Sequence, residues 1–159
     1  NGATEGMKLA LNIAAMLIAF ISVITLLNWL LSLIPFGSTV LTIELILGYL
    51  FMPLAFLMGA PWSEAHILGS LMGQKLVLTE FIAYQNLATF SNVISTKTAT
   101  IAAYALCGFA NFASIGIQLG GIGAIAPDRK KDLAKVVTKA MIGGALASWL
   151  TATIAGLLI

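Results

Sequence analysis

Residues Thr98–Pro127 read TATIAAYALCGFANFASIGIQLGGIGAIAP. No Asp, Glu, Lys or Arg occurs among these thirty residues. A helix of ~20 mostly apolar residues crosses bilayer hydrocarbon, so the stretch is long enough to span. Its middle, Cys107-Gly108-Phe109-Ala110-Asn111, sets a glycine and a polar amide where an unbroken span would carry apolar helix formers. That pattern predicts a broken helix over 97–126, and membrane transporters build substrate and ion sites at such breaks. Gly116, Gly120, Gly121 and Gly123 permit close approach of neighbours, and Pro127 with Asp128 ends the segment.

The rest of the chain shares this character. Apolar residues make up 60% and charged residues 9%, and mean hydropathy is +1.02. A soluble domain carries roughly a quarter charged residues. At this length a core would form in water, but little polar surface would remain to cover it. Two more stretches, Leu9–Ile43 and Ala140–Ile159, also lack charge and are long enough to span. An all-α membrane protein is expected.

The net charge is +2, and its placement says more than its size. Arg129, Lys130, Lys131, Lys135 and Lys139 crowd one segment beside a span, which predicts that 129–139 is cytoplasmic. The final helix would then run outward and leave Ile159 outside. A nucleic-acid patch is disfavoured because the cluster sits between membrane segments. Cys107 is the sole cysteine and His66 the sole histidine, which excludes an internal disulfide and any multi-Cys or multi-His metal site. The chain starts at Asn1, as a piece of a longer protein would, and its first apolar run is too long for a signal peptide.

Working along the chain, Lys8 to about Leu33 reads as a spanning helix of ~39 Å, ended by Pro35, Phe36 and Gly37. Residues 41–58 carry Glu44, Tyr49 and Pro53 and read as an interfacial helix rather than a span. Gly59-Ala60-Pro61 stops it. Pro61-Trp62-Ser63-Glu64 then reads as a new helix start, with Ser63 as cap and Glu64 at the positive end. Within 63–92 neither arm is long enough to cross; Ala65–Leu76 as helix covers ~18 Å. Two short arms predict a re-entrant hairpin, tolerated where it is buried in protein or lines a wet cavity. The final helix, 132–159, carries Gly143, Ala147, Thr151 and Ala155 at four-residue spacing, which predicts a packing seam on that face.

Glu80 is the sharpest chemical signal. An ionisable group at bilayer depth costs ~2.5–3.5 kcal/mol on insertion scales, so it faces protein or water and marks a functional site. The bland alternative is a neutralising pair with Lys75, but i, i+5 is poor spacing for one helical face. Asn111 and Ser114 share a face if a half-helix starts at Asn111, which would also leave free N–H groups at the break. Interhelical hydrogen bonding would account for the same two residues. Gln74, Thr79, Tyr84, Gln85 and Asn86 flank Glu80. Glu44 reads as water-facing, His66 as an interfacial or helix-start residue, and Cys107 as a packing residue. No phosphate-binding Gly-Lys-Ser/Thr loop is present, and a single histidine disfavours hydrolytic chemistry.

Two stretches carry a family resemblance. Gly73–Tyr84, GQKLVLTEFIAY, is similar to the pattern G-x-K-x-x-x-N-E-F-V-A-Y, and Ala105–Ile117, ALCGFANFASIGI, to A-L-C-G-F-A-N-x-x-S-I-G-I. Both patterns belong to the concentrative nucleoside transporters, and nearly the whole chain resembles the C-terminal part of that family. Thr79 departs from the family's Asn. The family's N-terminal hairpin, with its Gln-Thr-Glu base-recognition site and most of its sodium site, has no counterpart here.

The resemblance implies an ion-coupled nucleoside symporter, driven by sodium or protons, that makes no covalent change and so is not an enzyme. It implies that 1–37 is a scaffold helix of a homotrimer and that 38–159 is the C-terminal half of the transport domain. Position by position, Glu80, Asn111 and Ser114 would hold the ribose, Phe109 would line the pocket, and Thr79 and Lys75 would support them. No metal ligand is expected in this chain, since the ion site lies mostly outside it. The implied partners are a nucleoside such as uridine or adenosine, the N-terminal part of the transporter and the bilayer, with no nucleic acid. Two other classes compete: a non-transporting gate-like or assembly module, which would not need the ribose set, and an intramembrane enzyme, which would need a second catalytic group beside Glu80.

Overall fold

The computed structural model describes residues 2–36 and 39–159. Gly37, expected to help end the first helix, and the boundary drawn between 37 and 38 lie outside them. Seven α-helices carry the described chain. They are α1 (Gly2–Ser32), α2 (Ile43–Leu57), α3 (Trp62–Val77), α4 (Glu80–Phe90), α5 (Thr96–Leu106), α6 (Phe112–Ile125) and α7 (Lys130–Leu157). A 3-10 turn at Pro127–Arg129 leads into α7. The one addition to an all-α reading is a two-residue antiparallel pair, β1 (Pro35–Phe36) with β2 (Thr39–Val40), where the chain doubles back between α1 and α2.

α1 starts near Gly2 rather than Lys8, because nothing before Lys8 breaks it; Gly6 lies inside the helix. Its 31 residues reach ~46 Å, more than a bilayer core. Together with the helical segment Pro127–Leu157, it is one of two described stretches long and apolar enough to cross a membrane. α2, at 15 residues, is too short for a straight crossing. Thr42 caps it, accepting from the Leu45 N–H at 3.1 Å, and Gly59 closes it at φ +105°, a conformation that disfavours any side chain.

α3 forms the centre. Leu68, Leu71 and Met72 are fully buried, against Ala55 and Met58 of the α2 end, Ile101, Ala102, Ala105 and Leu106 of α5, and Trp149 and Ala152 of α7. α2 and α3 touch backbone to backbone: a Cβ on Gly69 would lie 2.5 Å from the Gly48 carbonyl and 2.9 Å from the Met52 nitrogen. Gly69 and Gly73 are four apart, the small-residue spacing that lets membrane helices close up.

Several expectations are corrected. Ser63 is exposed and caps nothing; Pro61 holds the cap position of α3, and its carbonyl accepts from the Glu64 N–H. Glu64 does sit in the first turn of α3, and its carboxylate also accepts from the Ser95 N–H and hydroxyl, at 3.1 and 2.8 Å, tying the start of α3 to the start of α5. Glu44, half-buried, accepts from Asn28 Nδ2 at 2.9 Å and joins α2 to α1. Within this chain the face read as a seam, Gly143, Ala147 and Thr151, meets no neighbour, with Ala155 half-buried, and is left for packing outside it. The buried side of α7 carries Met141, Ala145, Trp149, Ala152 and Gly156 instead. Ala145 lies about 200° around the helix from Gly143, at 100° per residue. The side that α5 meets packs within the chain, and Gly156 sits against Ile101 there.

Candidate functional site

Two helix starts meet here. α4 begins behind Thr79, whose hydroxyl accepts from the Ile82 N–H at 3.4 Å. α6 begins behind Asn111, whose Oδ1 accepts from the Ser114 N–H at 2.8 Å. The Ser114 hydroxyl answers, accepting from the Asn111 N–H at 3.1 Å and donating to the Asn111 carbonyl at 2.6 Å. This reciprocal cap fixes the amide of Asn111: Oδ1 faces its own helix, so Nδ2 faces away. Nδ2 donates to Glu80 Oε2 at 2.9 Å. Asn111 and Ser114 are 3% and 4% exposed, and Glu80 is half-buried.

The electrostatics suit an anion. Glu80 occupies the first turn of α4 and, through Asn111, also meets the start of α6. Helix N-termini carry partial positive charge and unbonded N–H groups, so both starts place donors beside the Glu80 carboxylate. Oε1 accepts no hydrogen bond among the described residues. An ionised carboxylate only accepts, and an amide both donates and accepts. The pair can therefore both accept from and donate to a polar ligand.

Of the residues singled out in the sequence, Thr79, Glu80, Asn111 and Ser114 come together. Phe109 sits in the break between α5 and α6, 75% exposed. The break turns at Gly108, φ +115°, where a side chain would be strained. Lys75 is fully buried but turned to other partners: Nζ donates to the Ala105 carbonyl at 2.9 Å and to Ser148 Oγ at 2.7 Å. The described ion pairs fall on Asp132, with Arg129 and Lys135, and none joins Lys75 to Glu80. Tyr84 donates to the Ala103 carbonyl at 2.7 Å, and Asn86 donates to Gln74 Oε1 at 2.6 Å, bridging α4 and α3. Gln85 is exposed. The His66 ring packs on Tyr49, centroids 4.5 Å apart. Among the described residues, no three His, Cys, Asp or Glu side chains are grouped as for a metal ion. Sequence reasoning missed Ser148; its sole signal was a hydroxyl in a charge-free apolar run.

Residues 1–156 match the family described as Na+ dependent nucleoside transporter C-terminus. The chain belongs to this family. Members of this family are integral membrane proteins and not enzymes, and this chain carries the family's C-terminal region. Relatives agree along its whole length. It is 51% identical to an uncharacterized transporter, YutK, of Bacillus subtilis over 100% of this chain and 40% of that protein. It is 42% identical to nucleoside permease NupC of Helicobacter pylori over 100% of this chain and 40% of that protein. With solute carrier family 28 member 3 of Rattus norvegicus the identity is 42%, over 99% of this chain and 25% of that protein. Among solved structures, a variant of CNTnw in its intermediate 2 state superposes with TM-score 0.90 at 43% identity, covering 99% of this chain and 40% of that one. CNTnw in an inward-facing substrate-bound state superposes at 0.80 with 42% identity, covering 98% and 38%. The chain thus spans about 40% of the length of the transporter YutK.

Proposed function

We propose that this chain is the C-terminal part of a nucleoside symporter driven by sodium or protons, and that it supplies the ribose side of the substrate site. The observation that carries the reading is the 2.9 Å bond from Asn111 Nδ2 to Glu80 Oε2 at two converging helix starts. Ribose presents vicinal hydroxyls, and Glu80 Oε1 and the second Nδ2 proton of Asn111 are free to meet them. The Ser114 hydroxyl gives its proton to the Asn111 carbonyl. It therefore offers the sugar only an acceptor and holds Asn111 in place. Phe109, exposed in the break, lines the base side.

On this reading α3 and α4 form a re-entrant hairpin within 63–92, and α5 with α6 a broken span within 97–126. α2 lies in the interface, and α1 is the scaffold helix within 1–37 against which the transport domain, 38–159, moves in a homotrimer. The segment 129–139 is cytoplasmic and Ile159 is outside. The N-terminal part of the transporter supplies the base contacts and the coupling-ion site.

The test is uptake of radiolabelled uridine and adenosine by proteoliposomes holding the full-length protein, under a sodium or a proton gradient. Sodium-driven uptake lost in Glu80→Gln is the expected result. Uptake under a proton gradient alone keeps the substrate and changes the ion. Folded protein with no uptake under either gradient overturns the symporter reading in favour of a gate-like module.

A further inference from the structure

Lys75 is fully buried, and among the described residues no carboxylate is in ion-pair contact with it, Glu80 acting on it only from a longer range. A lone ammonium in such a place costs several kcal/mol unless local groups compensate it. Its partners show what compensates. α5 ends at Leu106, and the last carbonyls of a helix lack helical partners. The Ala103 carbonyl takes the Tyr84 hydroxyl, and the Tyr104 carbonyl takes the Cys107 N–H. The Ala105 carbonyl takes Lys75 Nζ at 2.9 Å. The second acceptor, Ser148 Oγ at 2.7 Å, passes its own proton to the Ala145 carbonyl at 2.9 Å, which leaves its lone pairs toward the ammonium. Lys75 also lies in the last turn of α3. The negative ends of two helices, a bare carbonyl and a hydroxyl thus converge on one positive charge.

Such an oxygen set at a helix break is what transporters with broken helices present to a coupling cation. We propose that Lys75 is a built-in cation: its ammonium fills the carbonyl end of α5 from within the chain, so no diffusible ion binds at this break. The inference rests on the reading of α5 and α6 as one broken helix of a coupled transporter. It predicts that the vacated position accepts a small monovalent cation once the side chain is cut back.

The experiment compares full-length parent, Lys75→Ala and Lys75→Arg in detergent, without nucleoside. Melting temperature is read in sodium, methylammonium and choline chloride at equal ionic strength. Lys75→Ala is expected to melt several degrees below the parent in choline. Sodium or methylammonium should restore much of that loss, beyond any shift these ions cause in the parent. Lys75→Arg, which keeps the charge, should gain no such dependence. Equal melting of Lys75→Ala in all three salts, after the parental shift is subtracted, overturns the proposal. So does Lys75→Ala that folds in none of them, or a cation dependence of the same size in Lys75→Arg. Because no uptake is read, failure of the nucleoside reading leaves this result interpretable, and the reverse also holds.

Discussion

Thr79 stands where the family pattern has Asn, and its hydroxyl caps α4. Asn and Thr both accept from N–H groups of the first helical turn, which explains how one replaces the other. Thr79→Asn should therefore leave the melting temperature of the full-length protein nearly unchanged, while Thr79→Ala should cost ~1 kcal/mol of stability. Glu80 makes a graded prediction. Glu80→Gln should weaken uridine binding strongly, and removing one ribose hydroxyl from the ligand should cost ~1–3 kcal/mol. Equal binding of uridine and a dideoxyribose analogue would sink the assigned role of Glu80. Asn111→Asp keeps the capping oxygen and replaces the donor with a second carboxylate facing Glu80. Uridine binding should fall at least as far as in Glu80→Gln, and titration calorimetry on both variants decides it.

At the scale of elements, glycines separate contact from spacing. Gly69 meets the α2 backbone, whereas Gly143 has nothing within 4 Å of an added Cβ. Gly69→Ala should lower the yield and melting temperature of folded protein, by ~1–3 kcal/mol as overpacking does, and Gly143→Ala should change neither. If the two variants behave alike, the α2–α3 contact is misplaced. The break at Gly108 and the two short arms of 63–92 were legible in the residues; that Thr79 caps the second arm came from the structure. Which side of α7 packs was not legible. Its small residues lie on more than one side, and periodicity assigns faces without naming their neighbours.

At the scale of the molecule, α1 stands apart from the core; of its described side chains Ile24 alone is buried. That suits a helix whose neighbours are lipid and the rest of a longer transporter. The proposed topology is tested in the full-length protein with Cys107 replaced and single cysteines at Lys135 and Ile159. A membrane-impermeant maleimide should label position 159 from outside intact cells and position 135 only after permeabilisation. Labelling of both from one side would overturn the crossing of α7.

Composition and order by themselves determined the membrane character, the sequence of helices and the two interruptions. They also marked Glu80, Asn111 and Ser114, because charge, amide and hydroxyl stand out against an apolar background at sequence-local breaks. Tertiary structure alone decided the partners: Asn111 for Glu80, Ala105 and Ser148 for Lys75, Ser95 for Glu64 and Asn28 for Glu44. A polar group in an apolar run must find a partner, which the residue pattern states. The partner lies 16 to 73 residues away on another element, and helical periodicity carries no information across that distance.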